Sequence, residues 1–152
     1  MKLAEALILR ADCQKKIQQI KDRLLRSAKV QEGEEPPEQP QALIEELHTL
    51  VNRLTDLIQK INQTNSVTIL ENDLTIAAAL AQRDSILLKS NIYNSLIQTA
   101  ADRQSRYGRS EIKYVSTVDV AELQTVTDRM SRDYRQLDTK IQQANWNIDL
   151  IE

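Results

Sequence analysis

Every proline in the chain lies between residues 36 and 40 (Pro36, Pro37, Pro40), and glycine occurs only at Gly33 and Gly108. Proline inside a helix removes a backbone hydrogen bond and clashes with the preceding turn, and glycine costs about 1 kcal/mol relative to alanine there. Confining both leaves long stretches with nothing to interrupt a helix. Those stretches are filled by Leu, Ile, Ala, Gln, Glu, Lys and Arg, which favour helix. The chain should therefore be a set of long helices, with a loop at 30–40 between the first two.

Apolar spacing locates them. Over about 2–28, Leu3, Ala6, Leu7, Cys13, Ile17, Ile20, Leu24 and Ala28 share one helical face. Over about 41–62, Leu43, Leu47, Leu50, Leu54, Leu57 and Ile61 alternate steps of four and three, with Ile44, Val51 and Ile58 widening the stripe, until Asn62, Thr64 and Asn65 break it. A third helix is expected over 73–103, capped by Asn72 or Asp73. Its apolar residues surround it: Ile76, Leu80 and Leu87 on one side, Ala79, Ile86 and Ile97 on a second, Leu74, Leu88 and Ile92 on a third. Such a helix is expected to be buried on most sides, hence the most buried of the four, with other helices or sister copies wrapped around it. The fourth, 119–147, opens on Asp119 with Glu122 at capping-box spacing. Its narrow stripe runs through Leu123, Thr127, Met130, Tyr134, Leu137, Ile141, Ala144 and Ile148.

Two segments rich in β-branched residues, 66–70 (SVTIL) and 111–118 (EIKYVSTV), read as extended. They flank a helix ~45 Å long at 1.5 Å per residue. Residues 104–118 can extend ~50 Å. The two strands can thus pair within the chain or with another subunit.

The chain has 152 residues, which suits one domain over 1–152. The glycines are too few for a phosphate-binding loop of the GxGxxG or GxxxxGK[ST] type. One cysteine and one histidine exclude an internal disulfide framework and a Cys/His zinc site. His48 completes a Glu-x-x-His spacing with Glu45, but a di-iron bundle needs a second His. The Glu34-Glu35-Pro36-Pro37-Glu38 run resembles the EExxE of nucleotide pyrophosphatases, yet its prolines forbid the helix such carboxylates require. No cofactor is expected. The apolar run Ala6 to Leu9, ended by Arg10, is too short for a secretory signal, and no segment reaches the ~20 apolar residues of a span. A cytoplasmic protein without a membrane segment is the expectation.

Some charged and aromatic residues stand where a stripe predicts otherwise. Arg10 lies in the centre of the first apolar stripe; Arg83, with Asp84 beside it, lies between apolar faces of the third helix. A charge withdrawn from water costs several kcal/mol unless paired. The alternatives are an ion pair with a carboxylate of another helix, a polar pocket around Arg10, Arg83 and Asp84 that takes an anion or substrate, or a charge left exposed at a helix end or subunit gap. Trp146 points off the fourth stripe and is a candidate partner contact, the alternative being a helix end folded back on the bundle. Residues 1–30 carry eight bases against three acids, whereas Glu32 to Glu46 carry six acids and no base; the acidic loop is expected to lie over the basic helix, the alternative being head-to-tail contact between subunits through the two patches. Arg103, Arg106, Arg109 and Lys113 interleave with Tyr107 and Tyr114, a mixture that can bind nucleic acid. Asp102, Glu111 and the net charge of −2 tell against it.

The start MKLAEALILRADCQKKI, the loop AKVQEGEEP (28–36), INQTN (61–65), AQRD (81–84), and SEIKYVSTVDVAELQ with YRQLDTKIQQANW (110–146) resemble a family of uncharacterised bacterial helical proteins, some of whose members carry the name septicolysin. The resemblance covers nearly the whole chain. It implies a mostly helical, oligomeric protein, brings no catalytic residue, and through the lysin name implies pore formation.

The expectation is therefore an all-α protein, four long helices in a bundle with a minor two-stranded β element, acting as a non-enzymatic homo-oligomeric assembly or interaction protein. A pore-forming lysin and a ligand or enzyme pocket are the alternatives.

Overall fold

The computed structural model describes residues 1–102 and 112–152. It is all-α with a small antiparallel two-stranded sheet: α1 (Leu3–Ser27), α2 (Pro40–Val67), β1 (Ile69–Glu71), β2 (Leu74–Thr75), α3 (Ile76–Ala101) and α4 (Val120–Asn147). The chain forms two compact units, one of residues 1–69 and 142–152, the other of residues 70–141.

In the first unit α1 and α2 pack along one another. The buried face of α1 runs through Leu3, Ala6, Cys13, Ile20 and Ser27, so Ser27 rather than the exposed Ala28 ends the stripe. On α2 the buried residues are Leu43, Leu57, Ile61 and Thr64. This helix runs past its expected end at 62. Thr64 continues the four-three spacing, and its hydroxyl donates to the Lys60 carbonyl at 2.8 Å and accepts the Ile151 amide N–H at 3.0 Å. A tertiary hydrogen bond thus outweighs the weak helix preference of Asn62, Thr64 and Asn65.

The same bond belongs to a clasp between the chain ends. Leu3 N–H donates to the Ile148 carbonyl at 2.9 Å and Leu150 N–H to the Met1 carbonyl at 2.8 Å, forming an antiparallel bridge between Lys2 and Asp149. The Lys2 ammonium lies 2.9 Å from the Asp149 carboxylate. The acidic loop is held to the basic helix as expected: the Arg23 guanidinium forks onto Glu38, with Nε–Oε2 at 2.8 Å, and Glu46 lies 3.9 Å away.

The strands differ from expectation. Residues 66 and 67 are helical, and residues 112–118 form no strand. The partner of β1 is β2, reached after two intervening residues. Asn72 and Asp73, expected to cap α3, are instead the two central residues of a hairpin turn, with φ of +44° and +62°. Positive φ at both positions suits a two-residue hairpin, and Asn and Asp tolerate it best after glycine. The cap passes to Thr75, whose hydroxyl accepts the Ala78 N–H at 3.1 Å.

In the second unit, α4 opens as expected: the Asp119 carboxylate accepts the Glu122 N–H at 3.0 Å. All eight residues of its stripe are buried or half-buried. The expectation that α3 is the most buried helix is overturned. Only Ile76, Ala79 and Ser90 are buried on it. Its covered face steps through residues 76, 79, 83, 86, 90, 93, 97 and 100, while Leu87, Leu88, Ile92 and Leu96 are exposed. The physical reason is geometric. Apolar residues spread around a helix cannot all face one core, and this chain covers one side of it.

Candidate functional site

Two features of the second unit stand out from a solvated helical surface: an ion-pair cluster on the covered side of α3 and an uncovered apolar ridge on its other side.

The cluster is built on Arg83, which occupies a covered position of α3. Its side chain is 22% exposed. Nη1 donates to Asp138 Oδ1 at 2.9 Å, while Nε and Nη2 both donate to Asp84 Oδ1 at 3.2 Å. Partial burial works to lower the guanidinium's pKa, but its hydrogen bonds to Asp138 and Asp84 outweigh it and raise the pKa above its ordinary value. Asp138 borders the α4 stripe, one turn beyond Tyr134. The two carboxylates differ: Asp138 is 31% exposed and Asp84 68%. Asp138 therefore contributes most of the pair's stabilising effect, since exposed ion pairs contribute only ~0–1 kcal/mol. Nearby in chain order, Lys140 on α4 grips the Glu71 carboxylate of β1 at 2.7 and 2.8 Å.

Asp138 was missed in the sequence, although a carboxylate bordering the α4 stripe was a visible signal for an arginine partner. Arg10 belongs to the first unit. Its guanidinium Nε is buried without a hydrogen-bond partner. Trp146, in the last turn of α4, is 57% exposed. His48 is exposed on α2. Among the described residues no three His, Cys, Asp or Glu side chains converge as a metal site would require. Of the basic and aromatic segment, Arg103, Arg106, Tyr107 and Arg109 lie outside the described residues, whereas Lys113 and Tyr114 are exposed. A cleft of about 260 Å³ lies between the last turns of α3 and residues 114–118, lined by Leu96, Thr99, Tyr114 and Val115 among others.

The ridge is formed by Asp84, Leu88, Ile92 and Leu96 at successive steps of four, continuing from the half-buried Leu80. Leu88 is 63% and Ile92 56% exposed. Asp84, the one charge on it, is engaged by its own Arg83.

These features define an all-α protein in which the part-buried Arg83 is neutralised by carboxylates of its own chain. Residues 10–150 match the family of unknown function DUF6847, and the chain belongs to that family. It is similar to a functionally unknown conserved protein from Corynebacterium diphtheriae of known crystal structure, at 44% identity over 99% of each chain and a TM-score of 0.94. A comparison with curated proteins found no match.

Proposed function

We propose that this protein is a non-enzymatic helical assembly protein that works as a homo-oligomer in the cytoplasm. The observation that carries this reading is the apolar ridge of α3, where Leu88 is 63% and Ile92 56% exposed. Trp146, with its large exposed ring, is a second candidate contact. Light scattering after size exclusion, at micromolar protein, tests the reading. A multiple of the chain mass supports it; a monomer overturns it.

A pore-forming, septicolysin-like protein is the second reading. It draws support from the resemblance and from the same ridge, which would then meet lipid. Among the described residues no helix is long and apolar enough to cross a membrane. Dye release from liposomes at micromolar protein would favour it over the assembly reading. A ligand pocket around Arg10, Arg83 and Asp84 has less behind it, because Arg83 is committed to Asp138 and Asp84. Its test is an anion-induced rise in Tm that Arg83→Ala abolishes.

A further inference from the structure

We infer that the end of α1 and the acidic loop after it form a two-fold contact between copies of this chain, Arg26 and Lys29 of each copy meeting Glu32, Glu34 and Glu35 of the other around Leu25. This rests on the assembly reading and gives it a contact away from α3.

One base holds the loop to its helix. Arg23 engages Glu38 and lies within 3.9 Å of Glu46, while Arg26 acts on Glu38 only from a distance. Among the described residues, Arg26, Lys29, Glu32, Glu34 and Glu35 make no ion pair within their own chain, and all five are exposed. Opposite charges a few residues apart thus stay unpaired, and the backbone between them is fixed. Gly33 adopts φ of +86°, which glycine enters without strain, and the Glu34 N–H donates to the Gln31 carbonyl at 3.0 Å. That turn and the Arg23 fork keep the acids on the loop and leave the bases on the helix end. A two-fold axis lays the helix end of one copy against the loop of the other, so opposite charges meet twice. The neighbouring charges fit the same division. Lys21 adds a base to the helix side, and Glu45 on α2 adds an acid. Asp22, the acid on the helix side, accepts the Gln18 amide at 3.4 Å. Leu25 is 66% and Val30 43% exposed, so the patch has an apolar centre in charged surroundings, as protein interfaces do.

The test uses the full chain and reverses each half of the patch. Sedimentation velocity and circular dichroism compare the parent with a base-reversed protein (Arg26→Glu with Lys29→Glu), an acid-reversed protein (Glu34→Lys with Glu35→Lys) and, as an exposed control on α2, Arg53→Glu. The expected parent is a dimer at low ionic strength, with a dissociation constant that rises at least about 10-fold in about 0.5 M salt. Arg53→Glu leaves it unchanged. Each reversed protein is folded and monomeric by itself, and the two associate when mixed in equal amounts, because reversed bases then face reversed acids. The acid reversal lies on an exposed loop, so it stays decisive even where the helix reversal unfolds the chain. An oligomer indifferent to salt and to the acid reversal, or folded reversed proteins that do not recombine, overturns this contact and leaves the assembly reading standing. A parent monomeric at low ionic strength removes both.

Discussion

α2 and α3 are of similar length and both rich in Leu and Ile, yet their residues meet water differently. On α2 the apolar residues keep to steps of four and three, and the buried positions Leu43, Leu57, Ile61 and Thr64 fall on that one stripe. On α3 they surround the axis, and the covered face includes Arg83 and Ser90, while Leu88 and Ile92 face solvent. Apolar content alone therefore does not mark a helix as interior. The angular distribution does, because only side chains sharing one face can reach one core.

The sharpest way to break this comparison is to truncate matched residues. Ile61→Ala, at a position 1% exposed, should destabilise the protein by about 2–5 kcal/mol, whereas Leu88→Ala should change the stability of an isolated copy by less than about 0.5 kcal/mol. Urea titration at dilutions that hold the chain monomeric checks both. A large loss at Leu88 under those conditions would mean that the ridge is covered within one chain.

Next in size are the polar groups that each helix recruits to its covered face. Thr64→Val keeps the shape but leaves the Ile151 N–H without its acceptor, and should cost about 1–3 kcal/mol in the same titration. On α3, Asp138→Asn should cost about 1–2 kcal/mol while Asp84→Asn costs at most about 1, because Asp138 is the better covered of the two carboxylates. Equal losses would show that exposure does not rank the pair.

The smallest effects concern pH. Hydrogen bonding from Lys2 holds Asp149 below its ordinary 3.8, and hydrogen bonding from Arg23 holds Glu38 below its ordinary 4.5. A depressed carboxylate contributes stability that is fully present above the unfolded pKa and is lost as pH falls through the folded one. Tm should therefore be flat from neutral pH to about 5 and fall below about 4, with Asp149→Asn and Glu38→Gln each making the fall shallower. An unchanged acid limb in both variants would show that these pairs do not act.

Much of this architecture was legible in the residues. The clustered prolines, the α2 and α4 stripes and the Asp119 cap each depend on contacts within a few residues, and local spacing reports those directly. The attraction of the acidic loop to the basic helix was legible too, as net charge, though not the particular fork of Arg23 onto Glu38. The β element was legible only as a tendency. The pairing of 66–70 with 111–118 or with another subunit stays open in the sequence, and the hairpin to residues 74–75 goes unseen, because a turn of two positive-φ residues at Asn72-Asp73 carries no glycine to announce it. Arg83 could be picked out as a misplaced charge, but its partner could not, since Asp138 lies 55 residues away in a helix whose rotation the sequence does not state. The sequence by itself thus determined the number of helices and the amphipathic faces of α1, α2 and α4, which follow from backbone preference and side-chain spacing. Tertiary structure alone decided where α2 stops, which carboxylate neutralises Arg83 and which side of α3 stays wet, because each depends on hydrogen bonds and cover supplied by residues far away along the chain.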